Sequence, residues 1–252
     1  MSSTLELRWD FTPATLFEED FAPNYRGAEI QVGNGTVVAH IATEGDDARP
    51  PLRAEVEHYV EGLFCGAQLV EHCNSSHTGP SVCVVRTDGS RNFILEVQPG
   101  IFRIQFGRAD IRVTNSDGTV IDTKRDRIER KRSLAVAAAS LGNQDDTLAR
   151  MLRSYRTAIE DTADELIHLF EVRDSIASRF GNQTEALRSL RFPKPRWSRL
   201  GLLCNELPLR EGRHRGRFGS EIRAATEAEL SESRAIAIEL IESYIAYLRG
   251  AA

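Results

Sequence analysis

Hydrophobic and polar residues alternate with a period of two through much of the first half of the chain, which is the pattern of half-buried β-strands. Three segments share one design, two strand-like runs around a glycine-containing turn: Ala28–Ala42, Ser81–Val97 and Ala109–Thr123. Their turns contain Gly33-Asn34-Gly35, Asp88-Gly89 and Asp117-Gly118. Residues Ile101–Phe106 alternate in the same way between the last two segments. The pattern predicts three β-hairpins and one further strand.

The second half changes to steps of three and four residues, the spacing of amphipathic helices. Asp146–Phe180 is long for one helix, so a break within it is expected, and Gly181 fits a C-cap. Thr226 and Glu229 form a capping-box pattern before the last helix, which begins there or near Ser220 and ends at Gly250. Two shorter helices are predicted near Thr184–Leu190 and Trp197–Leu207, separated by Pro193 and Pro195.

These periods predict an α+β protein, with an N-terminal antiparallel β domain followed by a small C-terminal helical bundle. The expected divisions are residues 1–123 as an acidic sandwich or barrel-like domain, residues 124–145 as a basic and alanine-rich linker or helix, and residues 146–252 as the bundle. The segment Arg53–Leu69 is ambiguous, because its composition suits both strands and a helix. The charge run Lys124–Arg132 favours a solvated helix or linker over a phosphate contact.

The formal net charge of −5 hides an asymmetry between the two halves. Residues 1–123 hold nine arginines and no lysine against 18 acidic residues, whereas residues 124–252 hold 23 basic and 19 acidic residues. The second half is therefore the one that favours a polyanion such as RNA. The start of the chain lacks a signal-peptide pattern, no run approaches the length of a membrane span, and four cysteines make no disulfide framework. A cytoplasmic protein with no membrane partner is expected.

No cofactor is expected, because the chain has no P-loop, G-x-G-x-x-G, G-x-S-x-G or H-E-x-x-H motif. Zinc-ligand residue types cluster within 26 positions, at His58, Cys65, His72, Cys73, His77 and Cys83. They lack the paired C-x2-C spacing of zinc knuckles, so a polar loop with a buried cysteine is the favoured interpretation over a metal site. The carboxylates Asp164, Glu165, Glu171 and Asp174 suggest salt bridges within one helix.

The densest charge lies in Arg191–Phe218, where eight cations and three aromatic residues occur together. The residues expected to bind a nucleic acid or phosphate are Arg191, Lys194, Arg196, Arg199, Arg215 and Arg217, with Trp197 for base stacking. His214 is the residue here that changes charge near neutral pH, and it is flanked by Arg210 and Arg213. The alternative is an exposed loop whose arginines pair with Glu206, Glu211 and Glu221.

This arrangement resembles bacterial defence-type proteins with a HEPN domain, in particular the Apea-like group. In that family a long helix carries an acidic and apolar pattern, as Ala158–Asp174 does here, and an arginine followed at four to six residues by a histidine forms an RNA-cleaving motif. The nearest match is Asn205–Gly216, with His214 in the histidine role and Arg210 or Arg213 in the arginine role. Arg210 and His214 have three residues between them, one fewer than the pattern.

The resemblance implies a homodimer formed through the bundle and RNA cleavage without a metal ion. His214 would accept the proton of a ribose 2′-OH while arginines hold the phosphate. The β domain would then be a sensor or bind a protein partner. Two other functions remain open: a non-catalytic adaptor that binds protein or nucleic acid through residues 191–217, and a dimeric structural subunit.

Overall fold

The computed structural model describes residues 2–44, 51–94, 112–114, 120–217 and 221–251. The chain forms two compact units, residues 1–140 and 141–252. The first unit is built on an antiparallel sheet and the second is helical, so the predicted α+β class and the order of its two parts are confirmed.

The first unit contains nine described strands and two helices. The strands are β1 Ser2–Thr12, β2 Asn24–Tyr25, β3 Ala28–Gly33, β4 Thr36–Glu44, β5 Ser76–His77, β6 Ser81–Arg86, β7 Arg91–Ile94, β8 Arg112–Thr114 and β9 Val120–Asp122. The helices are α1 Pro51–Glu71 and α2 Thr123–Gly142, the last of which ends at the division between the units. The main sheet has the order β2-β3-β4-β1-β6-β7, with β5 also paired to β1, while β8 and β9 pair with each other.

Strand β1 lies inside this sheet, hydrogen-bonded to β4 on one side and to β6 on the other. Its apolar residues Leu5, Leu7, Trp9 and Phe11 are buried at every second position, as a one-sided sheet requires. The predicted strands did not include this segment, although its alternation is as regular as that of the hairpins.

The first two predicted hairpins are confirmed by the pairing of β3 with β4 and of β6 with β7. Asn34, Gly35 and Gly89 have positive φ in the two turns, which is the conformation that favours glycine and asparagine there. The pairing of β8 with β9 agrees with the third hairpin, but its turn at Asp117-Gly118 lies outside the described residues, as does the expected strand Ile101–Phe106.

The ambiguous segment Arg53–Leu69 belongs to helix α1, which supplies the second layer of the first unit. Its buried residues share one core with the inner face of the sheet: Val56, Tyr59, Val60, Leu63, Phe64 and Ala67. In the described part of the chain, one sheet therefore packs against a helix, where the sequence predicted a sandwich or barrel. The steps of three and four residues between these apolar positions explain the helix.

Helix α2 contacts α1 closely through small residues. A Cβ at Gly62 would lie 2.4 Å from the Cα of Ala139, and one at Gly66 would lie 2.5 Å from the Cα of Ala135. Ala135 and Ala139 belong to the same core cluster as the sheet. Most of the segment 124–145, expected as a linker or helix, is thus a structural helix of the first unit.

The basic run at the start of α2 is largely neutralised within the first unit. Lys131 is 2% exposed, and its ammonium lies 2.8 Å from Glu18 and 2.6 Å from Glu71. Arg127 also pairs with Glu18, at 2.6 Å. Hydrogen bonds from Arg127 and then Lys131 lower the pKa of the Glu18 carboxyl from 4.5 to about 2. These charges therefore stabilise the fold instead of forming a free phosphate site.

The second unit contains five helices among the described residues. They are α3 Asp146–Glu160, α4 Glu165–Phe180, α5 Gln183–Leu190, α6 Lys194–Gly201 and α7 Glu227–Ala251. A π-helical turn, Leu202–Glu206, follows α6, and a 3₁₀ turn, Arg215–Arg217, lies in the loop before α7. The expected break after Asp146 is confirmed by the separation of α3 from α4.

The predicted helix caps are confirmed. Gly181 ends α4 with a φ of 81°, and Thr226 and Glu229 exchange the hydrogen bonds of a capping box before α7. Inside the bundle, buried Glu165 of α4 accepts two hydrogen bonds from Arg234 of α7. A carboxylate this deeply buried requires such a partner, so this pair fixes α4 against α7.

Candidate nucleic-acid interface

The loop that carries His214 is held by backbone hydrogen bonds on both sides. Arg210 N donates to Arg223 O at 2.9 Å, and Arg223 N donates to Pro208 O at 3.0 Å. Arg213 N donates to the carbonyl oxygen of Cys204, in the π-helical turn, at 2.9 Å. The loop therefore has a defined backbone in the described region, which extends to Arg217 and resumes at Glu221.

Two of the loop arginines are anchored to helix α4 and to the residue that precedes it. Arg213 donates to the carboxylate of Asp174 at 2.9 Å, and Arg215 donates to Asp164 at 2.6 Å. Arg215 also donates to the carbonyl oxygen of Arg210 at 2.9 Å. These contacts position the residue between the two arginines, His214, beside α4.

Three other side chains of the loop are unpaired among the described residues. In the part of the chain that the structure describes, the imidazole of His214 and the guanidinium groups of Arg210 and Arg217 have no hydrogen-bond or ion-pair partner. His214 is half-buried, whereas both arginines are exposed. Of the two arginines considered for the catalytic motif, Arg210 is thus free and Arg213 is engaged by Asp174.

On helix α6 the expected phosphate-binding arginines are already paired. Arg196 donates twice to Glu239 of α7, with one distance of 2.9 Å, and Arg199 forms a two-pronged contact with Glu232 at 2.8 Å. Both arginines thus serve to join α6 to α7. Arg191 and Lys194 are exposed and have no partner among the described residues, which leaves them available to an anion.

Trp197 does not present its ring to solvent. It is 1% exposed in the core of the bundle, so it cannot stack on a base in the way that the sequence led us to expect. The amphipathic spacing of α6 turns this position inward, together with Leu200. Phe218, the last aromatic residue of the basic segment, lies outside the described residues.

The carboxylates that neutralise the arginines differ from those expected nearby in sequence. Glu211 accepts a hydrogen bond from the backbone of Ala225 at 2.9 Å, and the ion pairs of the loop use Asp164 and Asp174 of the α4 region. Those two carboxylates and buried Glu165 were expected to form salt bridges within one helix. They instead connect separate elements, because the bundle places the loop and α7 beside α4.

Arg173 of α4 is a candidate that the sequence did not reveal. Its guanidinium carbon lies 5.0 Å from the ring centre of Phe170 and 4.9 Å from that of Trp197. Desolvation by burial lowers the pKa of Arg173 below its ordinary value. The sequence around Arg173 shows only an arginine next to an aspartate on a helix. It could not predict the stacking contact, because the ring of Trp197 belongs to another helix.

Cys204, in the π-helical turn beside the loop, is not a nucleophile. Burial raises the pKa of its thiol to about 12, so the thiol stays protonated near neutral pH and the reactive thiolate is absent. Within the loop, His214 is the residue of the type that most often serves in proton transfer.

No group of three or more metal-ligating side chains occurs within the described ranges, which include all six candidate histidines and cysteines. Cys73 and Cys83 are buried in the first unit. His77 stacks on Phe64 with ring centres 4.4 Å apart and pairs with Glu61 at 3.1 Å. Cys73, Cys83 and His77 are therefore packed or paired within the first unit, which their spacing in the sequence did not predict.

No protein-family model matches the chain, and no curated protein and no solved structure is significantly similar to it. The resemblance to the HEPN family therefore depends on the sequence pattern and the helix order. Among the described helices, none combines the length and the apolar character needed to cross a membrane.

Proposed function

We propose that the helical unit binds RNA through the loop 210–217 and cleaves it without a metal ion, with His214 as the general base. One observation carries this proposal: His214, Arg210 and Arg217 are unpaired on a loop that Arg213 and Arg215 anchor to α4. The loop thus carries an imidazole that can act as a general base and guanidinium groups that can stabilise the charge of a phosphodiester during cleavage.

In this mechanism neutral His214 accepts the proton of a ribose 2′-OH. The 2′-oxygen then attacks the adjacent phosphorus, and the bond to the 5′-oxygen breaks, which leaves a cyclic phosphate and a 5′-hydroxyl end. Arg210 and Arg217 stabilise the negative charge that builds on the phosphate oxygens. The leaving oxygen takes a proton from water or from His214 of a second copy, since the HEPN resemblance implies a homodimer.

Arg191 and Lys194 extend the proposed RNA surface beyond the loop, because both are exposed and unpaired among the described residues. The first unit, with its excess of acidic residues, would repel RNA and is the proposed site of a protein partner or sensor. Arg196, Arg199 and Trp197 are not included in the proposed surface, because the two arginines pair with glutamates of α7 and Trp197 is buried.

A second candidate is a protein that binds RNA without cleaving it. The engagement of Arg213 by Asp174 favours it, because this arginine is then less available to a phosphate beside His214. This candidate predicts association that weakens with salt but produces no cleavage.

The test compares the wild-type protein with His214→Ala on a single-stranded RNA, in the presence of a metal chelator. We expect the substitution to reduce cleavage by at least about a hundredfold, because general-base catalysis contributes about that much or more. His168→Ala is the matched control, since His168 is the other histidine of the helical unit and contacts Asp161 and Glu171. Equal cleavage by wild type and His214→Ala would refute the catalytic proposal, and binding without cleavage by the wild type would favour the second candidate.

A further inference from the structure

Arg173 is held by the faces of two aromatic rings, which leaves the edge of its guanidinium group unused. The group lies over Phe170 of its own helix and over Trp197 of α6. Stacking of this kind fixes the plane of a guanidinium group through its face. The N–H groups of a guanidinium lie in its plane, where they can donate to a planar or tetrahedral oxyanion.

No carboxylate in the described part of the chain pairs with Arg173. Its neighbour Asp174 is bound to Arg213 at 2.9 Å, and both Asp174 and Glu206 affect Arg173 only through longer-range attraction. The arginines of α6 differ in this respect, because Arg196 and Arg199 each have a glutamate of α7. Arg173 is therefore a half-buried positive charge without a counter-ion in the described structure.

The surroundings of Arg173 contain a second unsatisfied donor. A Cβ at position 201 would lie 2.0 Å from Arg173 Nη1, so the guanidinium group occupies space that exists because residue 201 is glycine. The indole Nε1 of Trp197 is buried and has no hydrogen-bond partner. A buried donor without a partner costs free energy, which a bound oxygen atom would recover.

Arg173 is also connected to the loop that carries His214. Arg213 precedes His214, and its guanidinium carbon lies 5.2 Å from the ring centre of Phe170, the ring that Arg173 also covers. Phe170 thus links the two arginines on one stretch of α4.

We propose that Arg173, together with the indole N–H of Trp197, forms an oxyanion site that takes a phosphate group. The inference rests on the proposed function in one respect: the phosphate is assigned to a phosphodiester of the RNA strand held by loop 210–217. Recognition there would depend on the backbone of the strand and not on its bases.

The first experiment uses the fluorescence of Trp197. The chain has two tryptophans, so a Trp9→Phe protein reports on Trp197 alone. We expect inorganic phosphate to change this fluorescence in a saturable manner, compared with chloride at equal ionic strength. Arg173→Gln in the same background should abolish the response, and Arg156→Gln should keep it, because Arg156 pairs with Glu160 on α3.

The second experiment measures binding of a single-stranded DNA oligonucleotide, which lacks the 2′-OH and cannot be cleaved by the proposed mechanism. Arg173→Gln should weaken binding about tenfold, the effect of losing one charge-assisted contact. The slope of log affinity against log salt should decrease by about 0.7, as for one phosphate contact on a single strand. Arg173→Lys, which keeps the positive charge but loses the planar guanidinium group with its several donors, should give an intermediate affinity. Circular dichroism verifies that each variant is folded.

The outcomes separate the two proposals. Loss of both the phosphate response and strand affinity in Arg173→Gln supports the site. A phosphate response with unchanged strand affinity would overturn the assignment to the RNA strand, and no phosphate response with unchanged strand affinity would overturn the site altogether. Cleavage by His214→Ala tests the catalytic proposal independently, because it does not involve Arg173.

Discussion

At the scale of single residues, the arginines of the helical unit divide into a paired and an unpaired set. Those bound to carboxylates are Arg156, Arg188, Arg196, Arg199, Arg213, Arg215, Arg223 and Arg234. An exposed ion pair contributes only about 0.2–1 kcal/mol to stability, so the exposed pairs serve mainly to position the loop and α6. The unpaired arginines keep their donors for a ligand in the proposed function.

The buried ion pairs of the first unit lead to a prediction about pH. Because the pKa of Glu18 is lowered to about 2 in the folded protein, its ion pairs stabilise the fold fully above about pH 4.5, and this contribution is lost as the pH falls toward 2. We expect Glu18→Gln to lower the free energy of unfolding by about 2 kcal/mol at pH 7, and by progressively less below pH 4.5.

Urea unfolding of a Trp197→Phe protein measures this effect, because Trp9 then reports on the first unit. Glu19→Gln is the control, since Glu19 is more exposed and its contacts with Arg125 and Arg132 are longer, at 3.6 and 3.7 Å. It should change stability by less than about 0.5 kcal/mol. A difference between wild type and Glu18→Gln that persists undiminished at pH 2 would contradict the predicted role of this carboxylate.

At the scale of elements, helix α4 organises the helical unit. Residues at its N-terminal end bind Arg215 of the loop and Arg234 of α7, through Asp164 and Glu165. Its later turns bind Arg213 and hold Arg173 against the rings of Phe170 and Trp197. One helix thus positions both the loop of His214 and the proposed oxyanion site.

We predict that Asp164→Asn releases the loop without unfolding the bundle. The substitution removes the ionic partner of Arg215, so amide hydrogen exchange in residues 210–217 should accelerate while the melting temperature changes by only a few degrees. Cleavage should fall about tenfold, because His214 is held less precisely. Glu185→Gln, which breaks a surface pair with Arg188 on α5, should leave both exchange and cleavage unchanged. Unaltered exchange in Asp164→Asn would show that the backbone hydrogen bonds alone hold the loop.

Elements determined by local signals could be predicted from the sequence, whereas contacts between distant segments could not. The turn at Asn34 and Gly35 and the capping box of Thr226 and Glu229 depend on neighbouring residues, and both are confirmed. Arg215 and Asp164 are 51 residues apart, so their pairing follows from how the helices pack. The inward position of Trp197 depends in the same way on which face of α6 meets the bundle.

At the scale of the whole molecule, the two units differ in charge. Residues 1–140 hold 20 acidic and 15 basic residues, whereas residues 141–252 hold 17 of each. Helix α2 completes the first unit, because Ala135 and Ala139 belong to the core of the sheet and Lys131 joins Glu18 to Glu71. The change in residue period near position 123 therefore does not coincide with the division at 140.

We predict that a fragment ending at residue 142 unfolds cooperatively, whereas one ending at residue 122 does not. The shorter fragment lacks α2. The close contacts of Gly62 and Gly66 of α1 with α2 are then lost, and so are the ion pairs of Glu18 and Glu71 with Lys131. Urea unfolding followed by the fluorescence of Trp9 distinguishes the two results. A cooperative transition in the shorter fragment would show that the sheet and α1 suffice for the core.

The position of β1 within the sheet has a consequence for synthesis on the ribosome. This strand precedes both of its hydrogen-bonding partners in the chain: β4 and β6 end at residues 44 and 86, and the helix that completes the core ends at residue 142. Pairing between segments so far apart in the chain is slow, and strands without partners are prone to aggregate. The nascent chain must therefore carry an apolar, incompletely paired strand until residue 142 has been translated, which makes this interval the natural point for a chaperone to act.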